Sequence, residues 1–141
     1  MRLTTFISLI ALGVCCISAK NTVIKSNKLN GTWLPVKQEI GGTQLAKAAF
    51  EKQKLIINDS AYTFTAESVD KGVVNYTEDK MDIYGKEGVN AGKHITAIYK
   101  FEDDQLAICY NLSGNSYPDA FETKGKPTFF LSVFIREPVT K

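Results

Sequence analysis

The side chains that could do chemistry are few: the single histidine His94, Cys109, and the acidic run Glu102-Asp103-Asp104. A cysteine beside a histidine is the minimum for a nucleophilic dyad, because the imidazole can take the thiol proton. Both residues fall in segments of strand type, His94 to Glu102 and Gln105 to Asn111, joined by Asp103-Asp104. A two-residue turn there pairs Glu102 with Gln105 and Phe101 with Leu106, which sets Cys109 opposite Ile98. At about 3.3 Å per residue, Cys109 then lies roughly 13 Å from His94, too far for proton transfer. One histidine and one such cysteine also leave zinc without a compact ligand set. The acidic run reads as the polar tip of a hairpin rather than a calcium or catalytic site. Gly85, Gly88 and Gly92 lack the strand-to-helix setting of a phosphate-binding loop. No catalytic residue, metal site or cofactor is therefore expected, and the chain reads as a non-enzymatic protein.

The aromatic residues are the constellation with functional reach. Tyr62, Phe64, Tyr99, Phe101 and Tyr110, with Ile95, Ile108 and Val133, are placed to line a cavity if the strands close around them. Tyr99 and Tyr110 are the informative pair, since each buried phenol needs a hydrogen-bond partner that a ligand could supply. The alternative is that these side chains simply fill the interior. A connected cavity of about 300 Å³ or more would favour a carrier, and a filled interior would favour recognition at the surface.

These residues belong to eight short segments rich in Val, Ile, Thr, Phe and Tyr: 32–40, 54–58, 62–67, 72–77, 80–84, 94–102, 105–111 and 128–136. Between the first two, Gln44 to Lys52 has the Ala, Leu, Lys and Glu content of one short helix. The pattern predicts an all-β fold, an eight-stranded up-and-down antiparallel barrel with that helix after the first strand. Tight connections at 59–61, 78–79 and 103–104 alternate with mostly longer ones at 41–53, 68–71, 85–93 and 112–127, which gives a cup closed at one end. On the 94–111 hairpin Ile95, Ala97, Tyr99 and Phe101 face inward with Leu106, Ile108, Tyr110 and Leu112. The other face, with His94 and Cys109, reads as mostly solvent-facing. The last strand is apolar on both faces and so needs outer cover, from the short helix, the leader 20–28 or a partner subunit.

The chain has 141 residues, a net charge of +2, 44% hydrophobic and 11% aromatic residues, which fits one globular domain and argues against disorder. With no basic cluster, nucleic acid is not an expected partner. Arg2 followed by the apolar run Phe6 to Ile17 and Ser18-Ala19 reads as a secretory signal peptide over residues 1–19, with a leader at 20–28 and the barrel domain at 29–138. That run is too short to span a bilayer, which takes roughly 20 residues, so no transmembrane segment is expected. Export to the periplasm or medium is the primary reading. The alternative is a lipoprotein acylated at Cys15 or Cys16, after a partial lipobox at Leu12-Gly13-Val14. Processing leaves Cys109 without a partner for an intramolecular disulfide.

Gly31-Thr32-Trp33 at the head of the first strand resembles the lipocalin signature, Gly-x-Trp. That resemblance implies a tryptophan plugging the closed end of the barrel beneath an arginine from the last strand, and Arg136 is placed for the role. A closer resemblance, over roughly Leu29 to Glu137, is to uncharacterised lipocalin-like domains of planctomycete-type bacteria. It rests on Gly31-Thr32-Trp33, Gly92-Lys93 with Ile98-Tyr99, Leu106-Ala107-Ile108-Cys109-Tyr110, Tyr117-Pro118-Asp119-Ala120-Phe121 and Arg136-Glu137. Tyr117 departs from the arginine usual there, which removes the basis for an anion-binding role of that loop. The resemblance implies a fold, with Gly31, Trp33 and Arg136 as its structural closed end, and no assigned activity. The expected function is binding of a small hydrophobic or amphipathic ligand in the cup, with Gly41 to Gln53 as a lid. The alternative is an interaction or inhibitor module that binds an envelope protein through the loops 85–93 and 112–127 or the outer Phe130/Phe134 face.

Overall fold

A computed structural model describes residues 27–140. The signal-peptide reading, Cys15, Cys16 and most of the leader lie outside the described residues. The order of elements is β1 (Gly31–Ile40), β2 (Thr43–Gln44), β3 (Lys54–Asn58), β4 (Ala61–Thr65), β5 (Val69–Tyr76), β6 (Lys80–Glu87), β7 (His94–Glu102), β8 (Gln105–Asn111) and β9 (Phe129–Arg136). Each strand from β3 to β9 pairs antiparallel with the next, β1 pairs with β3, and β1 also pairs with β9. That last pairing closes an eight-stranded antiparallel barrel; β2 is a two-residue appendage on β1.

The short helix expected between the first two long strands does not form. Residues 43–44 pair back on β1, and only Lys47–Ala49 make a single 3₁₀ turn, with no side-chain cap. Isolated helices shorter than about 12–15 residues are marginal, so local alanine content alone cannot hold one here. Two strands run further than their sequence suggests, because β5 begins at Val69 and β6 continues to Glu87. The glycines that suggested strand ends instead face each other, Gly72 opposite Gly85, beside a bulge after Lys71. A Cβ at Gly72 would overlap the Tyr84 carbonyl and the Tyr62 ring, so glycine there admits both the neighbouring strand and an aromatic side chain.

The β7–β8 hairpin has the expected register, Glu102 opposite Gln105 and Cys109 opposite Ile98. Asp103 and Asp104 both adopt positive φ, 50° and 60°, as a two-residue primed turn requires. At the closed end Arg136 Cζ lies 4.2 Å from the Trp33 ring centroid, a stacked guanidinium. Gly31, at φ 138°, leaves the room: a Cβ there would collide with the Arg136 guanidinium.

A second bulge, between Pro35 and Lys37 in β1, resets the alternation. Trp33 and Pro35 point inward before it and Gln38 after it, so a polar side chain enters the wall, where its amide donates to Gln53 (2.6 Å) and Ser132 (3.3 Å).

Among the described residues the last strand is covered on its outer side by the loop 112–128, and the short helix expected to do so does not form. The loop 112–128 lies back along the outside of the barrel as a strap. The Ser116 carbonyl accepts from Thr96 Oγ1 (2.6 Å) and Asn111 Nδ2 (2.9 Å), while the Tyr117 hydroxyl donates to Asp82 and Thr123 donates to Glu39. Outer-face Thr96, Cys109 and Asn111 are therefore buried rather than solvent-facing.

Candidate functional site

The barrel interior holds a cavity of about 130 Å³, reaching towards the end opposite Trp33. Its wall comes mainly from Leu55, Ile57, Tyr62, Phe64, Val74, Met81, Ile83, Ile95, Ile108, Tyr110, Phe130 and Phe134, with Asp70 and Asn90 at the rim. Except for Asn90, in the loop after β6, these positions follow from strand parity. Tyr62 stands opposite Gly72, Phe64 opposite Asp70, Ile83 opposite Ile95, and Tyr110 opposite Phe130.

Five of the eight residues expected to line a cavity do so: Tyr62, Phe64, Ile95, Ile108 and Tyr110. Tyr99 and Phe101 share the inward face but lie lower, against the plug. Phe101 sits 6.0 Å from the Trp33 ring, Tyr99 meets Phe101 edge-on at 6.2 Å, and the Tyr99 hydroxyl donates to the Thr77 carbonyl at 2.5 Å. Tyr99 thus satisfies its phenol within the protein. Val133 is on the wrong side altogether. It pairs with outward-facing Ala107 and joins Phe121 and Leu131 in a groove under the strap. Since β9 is apolar on both faces, alternation could not decide its orientation; pairing with β8 does, and turns Phe130 and Phe134 inward. The lid expected at 41–53 contributes no side chain to the cavity wall.

The volume lies well below the roughly 300 Å³ of an ordinary small-molecule pocket, yet close to the about 150 Å³ that accepts a benzene ring. The interior is therefore neither an open cup nor solid. Its polar groups are sparse. Asp70 is 4% exposed, and its carboxylate accepts from the Asn90 backbone N–H (3.1 Å) and Asn90 Nδ2 (3.3 Å). Tyr62 and Tyr110 make no hydrogen bond through their hydroxyls among the described residues. Burial pushes both phenols above their ordinary pKa, and Asp70 adds to the effect at Tyr62. They remain protonated donors across the physiological range. Asp70 escapes the sequence pattern because Gly72 reads as the start of a strand, although carrying the alternation back from Val74 through Gly72 reaches it; Asn90, in the loop after β6, carries no periodic signal.

On the outer wall, His94 Nε2 lies 2.7 Å from Asp82 Oδ1 and its ring stacks on Tyr84 at 4.6 Å. The Tyr117 hydrogen bond, with help from His94, holds the Asp82 carboxyl below the usual range. Cys109 lies on the neighbouring strand opposite Ile98, four residues along β7 from His94, and is fully buried beneath the strap. Burial raises its thiol to about 11, which suppresses the thiolate. In the native protein Cys109 should resist a thiol reagent at pH 8 and react fully once urea unfolds the chain. Asp82→Asn, which weakens the Tyr117 tether, should speed native labelling; rapid labelling of the unaltered protein would show that the strap does not stay closed.

No family model matches the chain, and no curated protein or solved structure is significantly similar to it. Among the described residues no helix is long and apolar enough to cross a membrane.

Proposed function

We propose that this chain is an exported, non-enzymatic, lipocalin-like binding protein that takes the apolar part of one small molecule into the open end of its barrel. The observation that carries this reading is a cavity walled mostly by apolar side chains in which, among the described residues, the phenols of Tyr62 and Tyr110 make no hydrogen bond to protein, while no side-chain polar atom is sealed away without a partner. Apolar wall and unmet donors together suit a partly apolar ligand with a polar atom. The volume limits the enclosed part to about one aromatic ring or a short alkyl chain. The lipocalin-like assignment draws support from the Gly31-Trp33-Arg136 arrangement within a closed eight-stranded ring. Export rests on the character of residues 1–19.

Against the rival reading, the loop 112–128 commits Ser116, Tyr117 and Thr123 to the barrel wall, and Phe130 and Phe134 face inward. Native mass spectrometry of protein purified from its own host should find a small-molecule adduct that is released by unfolding. Protein that is reproducibly bare, and stays bare when offered single-ring compounds, would overturn the carrier reading.

A further inference from the structure

The sign of the charge in the cavity wall narrows the ligand class. Among the fifteen residues that line the cavity there is no Lys, Arg or His, and the one ionisable acid is Asp70. None of the ion pairs among the described residues involves Asp70. A carboxylate offers about four acceptor positions, and Asn90 occupies two of them. A buried carboxylate without a countercharge is costly, and a cation brought by a ligand relieves that cost. Phe64, its cross-strand partner, also lines the cavity, so an aromatic wall stands beside the acid, and aromatic faces attract cations. The backbone fixes this placement. Gly88, at φ 88°, lets the 88–93 loop come close against Asp70, where a Cβ would strike the carboxylate and the Val69 carbonyl.

Resting on the carrier reading above, we propose that the ligand is a small cationic amine, its ammonium on Asp70 at the rim and its ring or short alkyl body among Ile95, Ile108, Phe130 and Phe134. An anionic ligand such as a fatty acid would meet Asp70 with no cationic side chain among the residues that line the cavity, since Lys93, which donates to Asn90 Oδ1 at 3.3 Å, is not part of that lining.

Calorimetric titration with 2-phenylethylamine, 2-phenylethanol, 3-phenylpropionate and toluene tests this. The amine should bind about tenfold to a hundredfold more tightly than the alcohol, as a charged hydrogen bond implies, with the propionate weakest. Asp70→Asn, which keeps an acceptor for the Asn90 N–H, should abolish that preference, read as the ratio of amine to alcohol affinity within the same variant. Amide shifts of Asp70 and Asn90 in the unaltered protein should move with the amine more than with toluene, which keeps the test decisive if the variant fails to fold. Equal or tighter binding of the alcohol or the propionate would overturn the amine inference and leave the carrier reading standing. No binding by any of the four would overturn both.

Discussion

Replacing Trp33 by Ala is expected to cost about 3–5 kcal/mol of folding stability, the range for deleting a large buried aromatic side chain. Trp33 is 2% exposed and carries several contacts at once. Its Nε1–H donates to the Leu29 carbonyl at 2.8 Å, and its ring bears the Arg136 guanidinium on one side and Phe101 beyond. Arg136 in turn donates to the carbonyls of Asn30 (2.5 Å) and Lys28 (2.8 Å), so the ring is the floor on which the incoming chain is tied down. Trp33 and Arg136 are also directly opposed across β1 and β9, the seam that closes the barrel. Removing the ring leaves a void, an orphaned carbonyl and a guanidinium without its platform. Trp33→Phe, which keeps the apolar plug and loses the Nε1–H bond, should cost considerably less. Urea midpoints at an unchanged denaturant slope measure both. A loss below about 1 kcal/mol for Trp33→Ala would mean that the seam does not depend on the plug. Domains of this size are stable by about 5–15 kcal/mol, so the expected loss is a large part of the total.

The contrast between the plug and the cavity explains what the sequence discloses. Closure was legible through the resemblance carried by Gly31, Trp33 and Arg136, and the structure shows why those three residues suit it: positive φ with no Cβ, a large flat ring, a planar cation. The β7–β8 register was legible for a similar reason, since two aspartates between alternating segments fix a primed turn and the turn fixes every pair above it. Orientation was lost where the code is degenerate. In β9 both faces are apolar, because the strap buries the outside while the cavity takes the inside, and Val133 was assigned to the wrong face as a result. Asp70 was lost to Gly72, a glycine that reads as an end but serves to receive the Tyr62 ring. The strap was lost because its attachments are single polar contacts, Tyr117 on Asp82 and Ser116 between Thr96 and Asn111, with no periodicity to announce them. Local rules reach turns and caps; what a long loop lies on is decided by tertiary contacts.

Phe134→Ala is expected to destabilise by a similar amount, about 3–5 kcal/mol, and to do something Trp33→Ala does not: make stability depend on added hydrocarbon. Phe134 is 1% exposed, stands between Pro35 and Leu106 in the sheet, and forms part of the cavity wall. Truncating it adds the space of a phenyl ring to a void that is already about 130 Å³, and that space is lined mostly by apolar side chains, with few polar groups to hold water. Toluene that binds the folded variant and not the unfolded chain must then raise its stability, by about 2.7 kcal/mol at a hundredfold excess over the dissociation constant. Leu131→Ala provides the control. Leu131 is also buried, but it lies outside the ring, opposite Cys109 and under the strap, so its loss should cost about 2–5 kcal/mol without opening the cavity. Thermal melts of both variants with and without toluene separate the two cases. Recovery confined to Phe134→Ala places the accommodating space inside the barrel, whereas equal recovery in both, or none in either, would show that the interior repacks around a lost ring and that its apolar void is not available to a guest.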